Sequence, residues 1–514
     1  MRISRRGFLV VGASLPLAGF AGKVMGQTSS GSSGKGGNLT IGLSSYPPNL
    51  QPWVNAGSAA GTMAALIHRG LLSFSADGQI QGELAESWER DGDTGWVFHL
   101  RQAKFQNGSP VRAEDIKWNL EQVADAKSTA YMRSQFQGVE RIETPDERTV
   151  RLIMKQPTVA VPDWLATYFM PMVAPGTLSR DSFAVGAGPF KLKKLERGVS
   201  IDLEAFEGFY KPGMPKFETV RVVAYPDENL RVAALQSGDV DLIDYVPWAA
   251  MSQIEQDKNL RLDTTLGPYM YLTFNGRTGP FADARVRRAV ALAIKRDDIV
   301  QSAFFGRGAP LEGLPLQEGT PYYDAARAHG WRRDLDAAKA LLAEAGLSGG
   351  FSCTLLSTAQ YGMHKNTAEV VQQNLADLNI VVNLHMPDWA TRVALGNRGQ
   401  YEFAVNGTAM ESTDPDNLSS VLDDTAAPSF IRSTGITVPG LSALLHQGRA
   451  EFDTKKRRAI YAKVEDLVLQ QAPFVGLAWR SQGYAMKANL QGFTNIPGPL
   501  SFYSATTLEN ASLA

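Results

Sequence analysis

The stretch 406–418, NGTAMESTDPDNL, places Glu411, Asp414 and Asp416 within six positions, beside Thr408, Met410, Ser412 and Thr413. Carboxylates this close could form an acid–base pair, an oxygen-rich loop for a hard cation, a turn in which Asp caps backbone N–H groups, or a wall facing a cationic solute. Spacing alone does not choose among them. Asp414 and Pro415 have the composition of a turn, so Asp414 carries both a turn reading and a pocket reading.

Other chemistry is sparse. GSSGKGG lacks the spacing and the preceding strand of a phosphate-binding loop, GAGPF lacks the third glycine of a dinucleotide fingerprint, and no G-x-S-x-G elbow occurs. The six histidines are scattered, with no pair at helical metal-ligand spacing. The single cysteine, Cys353, sits in FSCTLL, which reads as a buried strand where a thiol acts as a small apolar group. No cofactor and no metal is expected. A dispersed carboxylate pair of the glycosidase kind stays open, and with it an exported hydrolase, because sequence distance says nothing about it.

The elements that must position these residues are mixed. Leu39, Ile41 and Leu43 alternate as a short strand before a Pro-rich loop, and 95–123 reads as strand, Asn-Gly turn and helix. GAGPFKLKKLERGVSIDLEAF is a hairpin pattern around Gly198. DENLRVAALQSGDVDLIDYV is a helix closed by Gly238 and followed by a buried strand. Val286, Ala289, Val290, Ala293 and Ile294 share one helical face. Gly346 caps DLDAAKALLAEAGL, and two later segments run helix into strand, the second broken at Pro473. The class is α/β with more than one lobe.

The chain opens with Arg2, Arg5 and Arg6 before a moderately apolar stretch from Phe8 to Phe20, broken by glycines and Pro16. A bilayer span takes about 20 apolar residues, so this stretch reads as a cleavable export signal, and SRRGFL resembles the twin-arginine motif. A membrane anchor is the alternative. Residues 1–26 are the expected signal and 27–37 a flexible Gly/Ser-rich leader. No cysteine follows the signal, so lipid anchoring is excluded and a soluble periplasmic protein is expected. About 490 residues then remain, enough for two or three domains. With 51 basic and 52 acidic residues there is no basic excess for nucleic acid to exploit. The aromatic residues, 23 Phe, 15 Tyr and 9 Trp, supply core and could line a pocket.

Seven segments taken together are specific where each alone is weak. LAESWERDGDTGWVFHLRQAKFQNGSPVRAEDIKWNL, GAGPFKLKKLERG, LRVAALQSGDVDL, YLTFN, PFADARVRRAVALAIKRDDIV, AKALLAEAG and STDPDNL occur in this order. The set resembles family 5 of the extracellular solute-binding proteins, the dipeptide/oligopeptide-type receptors of ABC importers, from about Leu39 to beyond Gly492. The resemblance implies a bilobal type II (venus-flytrap) binding protein with an inserted α+β domain. Lobe I would comprise 38–72, 188–275 and 484–510, the inserted domain 73–187, and lobe II 276–483. It implies a monomer that closes on a peptide or small solute and is read by a membrane permease with its own ATPase subunits, without chemistry on the solute.

The resemblance also bears on the opening stretch. In peptide-binding relatives an Asp three residues before D-P-D, and three after a Trp, binds the ligand's α-ammonium. Here those positions are Glu411 and Thr408: the charge is kept on a longer side chain and the aromatic wall is replaced. The loop expected to carry an arginine for a ligand carboxylate matches STAQYGMH, 357–364, which has none; His364 and Lys365 are the nearest basic groups. A free dipeptide is thus disfavoured; a longer peptide or peptide-like cationic solute is the leading expectation, with opines, amino-sugar conjugates and oligosaccharides as the alternatives. The expected ligand-binding set is Glu411, Thr408, Met410 and Asp414, with Ser44, Ser45 and Tyr46 after the first strand, Gly186 at the first crossing, Tyr271, Phe274 and Asn275 at the second, and Trp389 after IVVNLHM.

Overall fold

The computed structural model describes residues 36–55 and 57–514, so the expected export signal and all but the end of the leader lie outside the described residues. In the unit Lys35–Ala514 one eleven-stranded sheet is the frame. Two long antiparallel strands, Leu260–Phe274 and Phe474–Lys487, run side by side through its middle. Beyond Phe474–Lys487 lie Leu242–Ile243, Asn38–Leu43, Thr219–Ala224, Ser200–Ala205 and Phe190–Glu196; beyond Leu260–Phe274 lie Phe403–Thr408, Phe351–Leu356 and Ile380–His385. The eleventh, Gly308–Pro310, pairs with Phe474–Lys487 off this order.

The sequence pattern explains these elements locally. Parallel neighbours need a crossover, and helix Gly362–Leu375 supplies it between Phe351–Leu356 and Ile380–His385. Gly198, at φ 76°, turns the hairpin, and Gly238, at φ 86°, ends helix Glu228–Ser237 in the left-handed conformation that costs glycine least. The five apolar residues expected on one face from Val286 to Ile294 are all fully buried, each contributing up to about 1.5–3 kcal/mol for the larger side chains. That segment is two helices, Ala284–Ala293 and Arg296–Phe304, because Ile294 and Lys295 adopt extended backbone.

Two features of the frame shape the site. The pairing of the long strands slips between Leu266 and Tyr269 and again at Met270/Tyr271, and such slips bend a strand pair where the two halves of the sheet meet. At the first slip a Cβ on Gly267 would lie 2.2 Å from the backbone of Gly498, so only glycine admits the C-terminal 3₁₀ run Gly498–Asn510 there. The second feature is a four-stranded antiparallel sheet, Ala85–Asp91, Gly95–Leu100, Thr149–Met154 and Val139–Asp146, packed with helix Ala113–Ala124. Its core takes in Ile496, Leu500 and Tyr503 from the end of the chain. Among the described residues no helix is long and apolar enough to cross a membrane.

Candidate functional site

The three carboxylates of the opening stretch part company in the structure. Strand Phe403–Thr408 ends at Thr408, and 409–414 leads into the 3₁₀ turn Pro415–Leu418. Asp414 caps that turn by accepting from the Asp416 N–H at 2.8 Å, and its carboxylate is clamped by both terminal nitrogens of Arg457 at 2.6 and 2.7 Å. Asp416 is held by Arg449 Nε at 2.9 and 3.0 Å. Glu411 has no Lys, Arg or His within salt-bridge reach among the described residues. Its carboxylate accepts a hydrogen bond from the Tyr131 hydroxyl, and burial pushes its pKa up, a rise the Tyr131 bond opposes. It is the one acid of the three whose charge the protein leaves uncompensated.

Glu411 and Tyr131 form a shared wall between two cavities. The smaller, of about 680 Å³, collects residues from distant parts of the chain: Asn55 and Ser58, Tyr131, Tyr168 and Phe169, Tyr245, Thr408 to Glu411, and Pro499, Phe502 and Tyr503. Six of these are aromatic, and the rings support one another: Tyr131 lies 4.4 Å from Phe169, Phe169 4.3 Å from Tyr168, and Tyr168 4.7 Å from Tyr503. Gly61 makes room for them, since a Cβ there would lie 2.7 Å from the Tyr168 ring. The larger cavity, about 1370 Å³, opens on the other side of Glu411 and is bounded by Asp163, Trp164 and Thr167 facing Ser412, Asp414, Asp416 and Arg432. An aromatic-lined cleft with a few polar groups suits a small organic solute.

Of the expected set, Glu411, Thr408 and Met410 line the smaller cavity and Asp414 the larger one. The other eight stand outside both cavities. The Ser44 N–H and hydroxyl bind Asp244 at 2.6 and 3.2 Å, while Ser45 is exposed. Tyr46 packs on the Asn38–Leu43 core beside Gly198, with burial raising its pKa. Gly186 is a close-packing glycine, since a Cβ would lie 2.4 Å from the Ile67 carbonyl. Tyr271 and Phe274 are fully buried, Tyr271 stacked on Phe474 and donating to the Ile431 carbonyl at 2.8 Å. Asn275 is spent on the Gly399 and Tyr401 carbonyls. Trp389 packs with Tyr361, His364, Phe430 and the Arg392 guanidinium. Neither basic group near 357–364 replaces the missing arginine. His364 is buried and its pKa is lowered to about 3 by burial, with Arg392 and Arg480 adding to the effect, so it is neutral; Lys365 leans on Glu369 at 3.9 Å.

Sequence reasoning missed Asn55, Ser58, Tyr131, Tyr168, Phe169, Tyr245, Phe502 and Tyr503. Tyr245 alone carried a signal, standing two residues past the short strand Leu242–Ile243, where loops meet a cleft.

Comparison with known proteins fits this geometry. The profile of the bacterial extracellular solute-binding proteins, family 5, matches residues 79–429. The glutathione-binding protein GsiB of Pectobacterium atrosepticum is 27% identical over 490 residues, 92% of this chain and 94% of its own. The structure of the PBP AgaA from A. tumefaciens R10 in complex with agropinic acid superposes with a TM-score of 0.84 at 40% identity, covering 93% of this chain and 99% of that one. The Helicobacter pylori periplasmic binding protein DppA, in complex with the peptide STSA, has the same fold at a TM-score of 0.78 and 23% identity, over 93% of this chain and 98% of its own. With an aromatic cavity enclosed by distant parts of the chain and a matching profile over most of its length, this protein belongs to the bacterial extracellular solute-binding proteins, family 5.

Proposed function

We propose that the protein is the receptor of an ABC importer and captures an opine-type solute, an amino-acid–sugar conjugate, in the 680 Å³ cavity beside Glu411. The observation that carries the solute class is the 40% identity to the agropinic-acid-bound AgaA over 93% of the chain. The cavity supports it. Aromatic faces of Tyr131, Tyr168, Phe169 and Phe502 suit the C–H faces of a sugar-like chain, and Glu411 with Tyr131 offers an acceptor and a hydroxyl to its hydroxyl groups. Thr408, where peptide receptors carry a large ring, leaves width for such a solute.

A peptide is the second reading. The unpaired Glu411 favours it, since a free carboxylate suits an α-ammonium, and the GsiB relatives carry the name of a peptide ligand. In either case the solute is held by closure of 38–72, 188–275 and 484–510 against 276–483, with 73–187 contributing Tyr131, and is handed on unmodified by a periplasmic monomer to a permease driven by its ATPase subunits.

Calorimetric titration with agropinic acid, glutathione and a tripeptide tests the solute class. Agropinic acid binding at micromolar or tighter Kd, with the other two much weaker, is expected; micromolar binding corresponds to about −8 kcal/mol. Peptide binding without agropinic acid binding rejects the opine reading. Export by the twin-arginine route predicts that changing Arg5 and Arg6 to Lys strands precursor in the cytoplasm, and continued export contradicts it.

A further inference from the structure

Arg480 is 4% exposed, on the long strand Phe474–Lys487 at the slip between Leu266/Ser481 and Tyr269/Trp479, where the two halves of the sheet meet. Removing a guanidinium from water is costly unless its N–H groups are met. Among the described residues Arg69, Arg231, Arg296 and Arg392 also keep a buried nitrogen without a partner, but each makes two or more hydrogen bonds where Arg480 makes one. Arg457 is clamped on Asp414, and Arg296 donates to the carbonyls of Leu311, Gly476 and Trp331. Arg480 has no carboxylate within ion-pair distance among the described residues. Its one side-chain hydrogen bond is Nη1 to the Tyr245 hydroxyl at 3.1 Å, and its buried Nε has no partner.

Tyr245 is unusual in its own right. It holds φ 49°, the left-handed region that a bulky residue enters rarely, with its carbonyl fixed by Arg231 Nη2 at 2.9 Å. That backbone sets its ring as a wall of the 680 Å³ cavity that Glu411 also lines. Since its oxygen accepts from Arg480, its own hydrogen is left to donate. The cavity thus has a negative group at Glu411 and, at Tyr245, a donor backed by a cation that no protein carboxylate neutralises.

We propose that the Tyr245 hydroxyl, positioned and polarised by Arg480, binds an anionic group, a carboxylate, on the captured solute. This rests on the receptor reading but not on the solute being an opine. The hydrogen bond is made by Tyr245, and Arg480 acts through it as a positioning residue. With no arginine in 357–364, the cation on this account lies instead on the long strand Phe474–Lys487, at its register slip.

The test measures, by calorimetry, the affinity of whichever of agropinic acid, glutathione and a tripeptide the protein binds, each beside its carboxamide. Wild type is expected to prefer the acid by about tenfold or more, the scale of a charged hydrogen bond. Tyr245→Phe and Arg480→Gln are each expected to erase most of that preference by losing affinity for the acid, and Arg480→Lys to keep part of it. Glu411→Gln is expected to leave the ratio intact whatever it does to affinity. Equal weakening of acid and amide in the Tyr245 and Arg480 variants marks a packing role and overturns the proposal, as does a wild type indifferent to the amide or one that binds none of the three. A wild type that binds the tripeptide but not agropinic acid rejects the opine reading alone, and the same ratio then decides the proposal.

Discussion

At the scale of single residues, the three acids of one short stretch have three employments, set by their cations. Asp414 belongs to Arg457 and Asp416 to Arg449, while Glu411 lines the cavity with no such cation among the described residues. Glu411→Gln removes a charge without unpairing any protein cation. It is expected to weaken solute binding by about 1.5–3 kcal/mol, the worth of a charge-assisted hydrogen bond, with no loss of thermal stability. Calorimetry beside a melting curve checks this, and unchanged affinity would return Glu411 to a structural turn. Asp414→Ala strands the Arg457 guanidinium, whose side chain is 3% exposed, and is expected to cost about 3–5 kcal/mol of stability in a denaturation experiment. A loss under about 1 kcal/mol would show the clamp to be solvated. The sequence alone made Glu411, Thr408 and Met410 legible, because a motif pins them to one strand end. It could not separate Asp414 from Glu411, since the arginine that clamps Asp414, Arg457, lies tens of residues further on.

At the scale of elements, helix Val161–Ala166 meets the 412–418 turn across the larger cavity. Asp163 on that helix faces Ser412, Asp414, Asp416 and Arg457. Burial, reinforced by the charge of Asp414, raises its pKa to about 7 against the Ser412 hydrogen bond and Arg457. The unfolded chain releases this proton near the ordinary value of 3.8, so the folded state alone holds it between about 4 and 7. The Asp163 contribution is therefore complete below about pH 4 and is lost as pH rises through 7. Asp163→Asn is expected to melt increasingly above wild type from pH 5 to pH 8, and a difference that stays flat with pH would contradict this. Strands and helices were largely legible, because period and caps are local: Gly198, Gly238 and Pro473 each mark an observed break. Two residues expected at the second crossing show the limit. Tyr271 and Phe274 alternate like any strand, and nothing local says that both of that strand's faces are covered here.

At the scale of the whole molecule, the site exists only where distant segments converge. Tyr131 and Tyr168, Tyr245, Glu411 and Tyr503 are separated by stretches of up to 166 residues, from Tyr245 to Glu411, and the slip at Gly267 with the C-terminal run brings the last of them into place. Such convergence is a property of topology, which is why composition could say that aromatics abound but not which ones form walls. One solute molecule is expected in this cavity and nowhere else. A crystal structure of the protein with its bound solute tests it most directly. Solute density inside the 680 Å³ cavity, in contact with Glu411 and the ring of Tyr245, is the predicted result. Density in the 1370 Å³ cavity alone, or on the outer surface, would contradict it.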